Sequence, residues 1–137
     1  MVRAPQEKTT ARAQVHVLVA DDDPLLIALI DHYFCAEGFR VSTATNGDEA
    51  LVAIRSLRPD IVILDSMMPV MGGAEVLRRL RAEGRLGATK VVMLTTLSDE
   101  RQAVSAFQLG AADFVAKPFS PSELVSRVAR LASAHAR

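Results

Sequence analysis

The chain has 137 residues, half of them hydrophobic, with 16 basic and 16 acidic side chains that cancel. That length fits one domain with a real core. Balanced charge gives no electrostatic case for non-specific binding to nucleic acid or membrane, and the absence of Trp argues against a base-stacking surface. Cys35 is the single cysteine, so no internal disulfide can form and a reducing compartment, the cytoplasm, is the expected location. No apolar run approaches membrane-spanning length. Residues 1–14 are polar, without periodicity, and read as a disordered arm.

Val15–Ala20 ("VHVLVA") reads as a strand, and helical spacing then takes over across Asp23–Glu37. Leu26, Leu29, Ile30, Tyr33 and Phe34 form its expected apolar stripe, with Cys35 a core or boundary residue. Asp23 suits the N-cap, Pro24 the first helical position and Gly38 the stop. Arg40–Ala44 is a weaker strand. The stretch "NGDEALVAIRSLRP" (46–59) reads as a second helix with Ala50, Ile54 and Leu57 inward and Pro59 beyond its end. "DIVILD" (60–65) is an apolar strand closed by an aspartate, followed by a helix at Gly73–Glu83 through Val76, Leu77 and Leu80. "KVVMLTT" (90–96) is the fourth strand and Asp99–Leu109 the fourth helix. "DFVAK" (113–117) and Ser120–Ser133 complete the series.

A strand–helix unit thus occurs five times, and strands 1, 3 and 4 are apolar throughout. Strands apolar on both faces belong in a parallel sheet with helices on both sides, so the expected fold is a doubly wound (βα)5 sandwich. In such a sheet every strand carboxyl end lies on one edge, where ligands bind. Asp21 and Asp22 end strand 1, Asp65 ends strand 3, Thr95 and Thr96 end strand 4, and Lys117-Pro118 ends strand 5. Clustered carboxylates repel one another, and a hard divalent cation such as Mg²⁺ would relieve that repulsion.

These residues resemble the receiver domain of two-component response regulators. The likeness spans nearly all of residues 15–134 and rests on "DDDP", "ILDSMMPVMGG", "MLTT" and "AADFVAKPF". The interval from Thr95 to Lys117 also matches. The resemblance implies a receiver domain over 15–137, with flavodoxin-like strand order 2-1-3-4-5. It implies Asp65 as phosphoacceptor from a sensor histidine kinase or phosphotransfer protein. Asp21, Asp22, Asp65 and the backbone carbonyl of Met67 would hold Mg²⁺, with Mn²⁺ able to substitute. Thr95 and Lys117 would contact phosphoryl oxygens, across a cis Lys117-Pro118 bond. Thr95 and Phe114 would act as the switch, re-shaping the face of helix 4, strand 5 and helix 5, through which homodimers can form. Such a domain catalyses only its own phosphorylation and dephosphorylation, and does not itself bind nucleic acid. Met67 and Leu97, both apolar, would flank the path of a hydrolytic water and slow the loss of phosphate.

Plainer readings apply elsewhere. Met67, Met68 and Met71 suit core filling, His16, His32 and His135 lack metal spacing, and "RRLR" (78–81) suits a solvated helix face. Gly72-Gly73 replaces the usual Asp-Gly and suggests a more flexible turn. An Asp-nucleophile phosphatase would want a second Asp at position 67, which is Met, so turnover lacks its proton carrier. A flavodoxin-like cofactor site would want a hydroxyl- and Gly-rich loop where "DDDPLL" stands. A phosphorylation-independent interaction domain on the same fold is the remaining alternative.

Overall fold

The computed structural model describes residues 14–96 and 100–135; the proposed arm (apart from Gln14), Leu97 and Asp99 lie outside the described residues. Five strands, β1 (His16–Ala20), β2 (Arg40–Ala44), β3 (Ile61–Asp65), β4 (Lys90–Thr95) and β5 (Asp113–Ala116), alternate with five helices. These are α1 (Pro24–Ala36), α2 (Gly47–Leu57), α3 (Gly73–Ala82), α4 (Glu100–Gln108) and α5 (Pro121–His135). All neighbouring strands are parallel, in the order β2-β1-β3-β4-β5. The doubly wound expectation holds.

Alternate residues along β1 and β3 explain why those strands are apolar throughout. Leu18, Ala20, Val62 and Leu64 face one core layer, which they share with α2 and α3 residues such as Leu51, Ile54, Leu77 and Leu80. Val17, Val19, Ile61 and Ile63 face the other, with Ile30 and Phe34 of α1 and Leu124 and Val128 of α5. Both sheet faces are therefore covered.

Two helix faces differ from the periodicity reading. In α1, Ile30 and Phe34 are buried and Leu26 and Ile27 half-buried, whereas Leu29 and Tyr33 are about 40 % exposed. The helix is apolar nearly all round, so sequence spacing gives its inward direction poorly. Cys35 is exposed as well, its Sγ donating to Asp31 Oδ1 one turn back, and partial desolvation of the thiol together with that carboxylate raises its pKa. In α2 the buried set is Gly47, Ala50, Leu51 and Ile54, and Leu57 turns outward at the last turn. The Asn46 side chain accepts from Glu49 N–H, and Arg58 in the left-handed region ends the helix.

His16 Nε2 lies 2.7 Å from Ser42 Oγ between β1 and β2, while His32 packs edge-on against Tyr33. The side chain of His135 lies outside the described residues. Arg78 and Arg79 pair with Glu75 on an exposed helix face. Among the described residues no helix is long and apolar enough to cross a membrane.

Candidate phosphoacceptor site

The first strand leads directly into the site. Asp23 caps α1 by accepting from Leu25 and Leu26 N–H, which commits its carboxylate to the helix start. Its own backbone N–H donates to Asp21 Oδ1 at 2.9 Å, fixing the aspartate two residues earlier. Asp21 is fully buried and Asp22 exposed, so the three adjacent aspartates occupy three different environments.

Asp65 enters at the end of β3, beside β1, and is only 4 % exposed. One carboxylate oxygen from each of Asp21, Asp22 and Asp65 fits within a 4.8 Å cluster. That donor set, all hard oxygen, suits Mg²⁺. Lys117 arrives from the opposite side, its Nζ 2.9 Å from Asp21 Oδ2 and 3.4 Å from Asp65 Oδ2. The Lys117–Pro118 bond is cis, and the Lys117 N–H donates to the Thr95 carbonyl, joining the ends of β4 and β5. Thr95 is 2 % exposed.

These contacts set the protonation chemistry. Burial pushes the Asp65 carboxyl above its ordinary value; the Met67 N–H opposes the shift, the Asp21 charge adds to it, and Lys117 opposes it. Burial alone would lower the Lys117 ammonium, but its hydrogen bond to Asp21 and the charges of Asp65 and Asp21 outweigh this and raise it.

The loop after Asp65 is shaped by close backbone contacts. A Cβ on Gly73 would lie 2.3 Å from the Asp65 carbonyl oxygen, so this glycine serves close approach rather than flexibility. Gly72 takes the α3 N-cap position without a side-chain hydrogen bond. Met68 and Met71 pack against the core as expected, but Met67 is 71 % exposed and fills no core. Its N–H donates to Asp65 Oδ1 at 3.3 Å.

Behind the site lies a cavity of about 270 Å³ bordered by Ser66, Thr95, Ala106 and Phe114. Phe114 pairs in register with Met93 and is half-buried, and it lines the cavity together with Thr95. The cavity itself was not legible in the sequence, because it depends on how α4 packs over β4 and β5.

The sequence profile of the response regulator receiver domain matches residues 17–129. The chain belongs to this family. The receiver domain is 46 % identical over 112 residues to the DNA-binding response regulator MtrA of Mycolicibacterium smegmatis, covering 82 % of this chain and 48 % of that protein. It is 39 % identical to the phosphate regulon transcriptional regulatory protein PhoB of Rhizobium meliloti, over 82 % of this chain and 49 % of that one. The chain thus spans about half the length of these relatives. Among solved structures, the Francisella response regulator 1452 receiver domain superposes with a TM-score of 0.84 at 33 % identity, covering 88 % of this chain and 98 % of that one. The BeF3-activated receiver domain of Klebsiella pneumoniae RstA gives 0.78 at 28 % identity, over 85 % and 97 % of the two chains. Receiver domains are signalling domains rather than turnover enzymes, and they bind metal through an acidic pocket like the one formed here.

Proposed function

We propose that this receiver domain is a phosphorylation-activated switch with Asp65 as its phosphoacceptor. The observation that carries the reading is the convergence of Asp21, Asp22 and Lys117 on the buried Asp65. An Asp65 carboxylate oxygen bonds to the phosphorus of a phosphohistidine on a sensor histidine kinase or phosphotransfer protein. The phosphorus–nitrogen bond breaks, and the histidine nitrogen leaves with its electron pair. Asp21, Asp22, Asp65 and the Met67 carbonyl would hold Mg²⁺, which when bound would supply positive charge to the phosphoryl oxygens. Lys117 gives a second positive charge, and Thr95 a hydroxyl donor at the cavity wall. Catalysis of this kind is mostly positioning and electrostatics.

The output is conformational. Thr95 moves towards the phosphoryl group, Phe114 turns into the cavity between them, and the α4-β5-α5 face changes shape. That face presents Val104 and Phe107, about half exposed, as apolar contacts for a partner or a second copy. Where a receiver is joined to a DNA-binding half, as the name of the MtrA relatives indicates for them, the same face would act on that half. The setting is the cytoplasm, where histidine kinases present their phosphohistidine.

Intact mass after incubation with acetyl phosphate and Mg²⁺ tests the reading. One phosphoryl group is expected on the wild type and none on Asp65→Asn or in EDTA. A phosphorylated Asp65→Asn chain would overturn it.

A further inference from the structure

The switching helix is fastened at one end. At the C-terminus of α4 the Gly110 N–H donates to the Phe107 carbonyl and the Ala111 N–H to the Ala106 carbonyl, with Gly110 at φ 107°. This is the paired-bond helix stop that glycine permits. The Gln108 carbonyl belongs to the last turn, whose carbonyls have no intrahelical donor. Arg81, in the last turn of α3, donates to that carbonyl from its guanidinium at 2.6 Å. A cation at a helix C-terminus is favoured by the helix dipole as well as by the hydrogen bond. Leu86 closes the same end, since its Cδ1 occupies the space 2.5 Å from where a Gly110 Cβ would stand.

The body of α4 is held less firmly. Of its described side chains Ala106 alone is buried, while Val104 and Phe107 are 48 % and 50 % exposed. Beneath it lies the cavity shared by Thr95 and Phe114, with Ser105, Ala106 and Leu109 along one wall.

We propose that Arg81 is a latch: it pins the C-terminal end of α4 to α3, so that α4 swings about that end, and it restrains the change that accompanies phosphorylation. Arg81 touches neither Asp65 nor the phosphoryl site; it is a positioning residue for the switch. The inference rests on the phosphoacceptor reading for its second half only, since the pinning is a property of the unphosphorylated domain.

Hydrogen exchange and labelling kinetics on the full chain test both halves, using wild type, Arg81→Met and Arg81→Lys. Met keeps the apolar stem without the donor, and Lys restores a donor and the charge. In Arg81→Met, exchange at Leu109, Gly110 and Ala111 should rise roughly tenfold with the other four helices unchanged, as for loss of one charge-assisted hydrogen bond. Arg81→Lys should stay near wild type. Labelling by acetyl phosphate should be about threefold faster in Arg81→Met. Unchanged exchange at the α4 end, or a rise shared by all five helices, overturns the latch. Local loosening with an unchanged labelling rate overturns the restraint. Absence of label on wild-type Asp65 would count against the phosphoacceptor reading, and the exchange result would still decide the pinning.

Discussion

Lys117 is bonded more closely to Asp21 than to the proposed phosphoacceptor, 2.9 Å against 3.4 Å, and Asp21 is fully buried. With Asp21 Oδ1 taken by the Asp23 N–H, both oxygens of that carboxylate have donors. Lys117 therefore acts as the internal counter-ion of the cluster. Removing one partner of a buried pair strands the other charge. Lys117→Met should cost about 2–3 kcal/mol, below the roughly 3–5 kcal/mol of a fully buried pair because the lysine is partly exposed. Millimolar MgCl2 should then raise the melting temperature of the variant more than that of wild type, because among the described residues Lys117 is the cation recorded against these carboxylates. Thermal unfolding with and without Mg²⁺ measures this, and an equal Mg²⁺ effect in both proteins would refute the counter-ion role.

Asp65 carries a pH signature of its own. Burial, reinforced by the Asp21 charge, raises its pKa in the folded state despite the opposing Met67 N–H and Lys117. A raised folded value means that the folded chain holds the proton better than the unfolded one. The stabilisation from this group is complete below the unfolded value, about pH 4, and is lost as pH rises through the folded value. At neutral pH an ionised Asp65 is thus a cost. Asp65→Asn should melt a few degrees above wild type at pH 7 without Mg²⁺, and the gap should close below about pH 4. A gap that is absent at pH 7, or that widens in acid, contradicts this account.

Much of this site was legible because its chemistry sits at strand ends. Strands apolar on both faces dictate a parallel sheet, and a parallel sheet brings Asp21, Asp65, Thr95 and Lys117 to one edge whatever the loops do. The facing of α1 was not legible. Leu29, Tyr33 and Cys35 continue its apolar pattern but stand exposed, and only packing against α5 and the sheet selects Ile30 and Phe34. Nor could spacing show that Arg81 reaches Gln108 across 27 positions, or that Gly47 and Gly73 are required by carbonyl oxygens elsewhere in the fold.

Gly47 illustrates such a requirement. A Cβ there would lie 2.0 Å from the Met71 carbonyl oxygen, and the obstacle is backbone rather than a movable side chain. The start of α2 and the loop carrying Met67 are in direct contact through this glycine. Gly47→Ala should destabilise the domain by about 2–3 kcal/mol by forcing the two backbones apart. It should also slow Asp65 labelling, as the loop shifts. Gly87, with nothing within 4 Å of its Cβ position, is the control, and Gly87→Ala should stay within about 0.5 kcal/mol. Urea unfolding of the two variants makes the comparison, and similar midpoints would reject the contact as a constraint.

Val70 is where that loop stores strain. Its φ is 73°, a left-handed value that a β-branched side chain adopts at a cost, and its side chain is 80 % exposed. The Met71 N–H donates to the Pro69 carbonyl at 2.7 Å, which closes a three-residue γ-turn of the uncommon positive-φ kind around Val70. The turn is imposed from both sides: Met68 and Met71 pack inward against the core, and Gly73 rests on the Asp65 carbonyl. With so little of the valine buried, its removal forfeits little packing, while glycine meets the backbone demand without a Cβ. Val70→Gly should therefore stabilise the domain by about 1 kcal/mol, from roughly 2 kcal/mol of strain less about 1 kcal/mol for the greater freedom glycine brings to the unfolded chain. Val70→Ala, which keeps a Cβ in the same conformation, should recover only part of that gain. Urea midpoints of the three proteins order the outcomes, and a Val70→Gly chain no more stable than wild type would show that the turn is not strained.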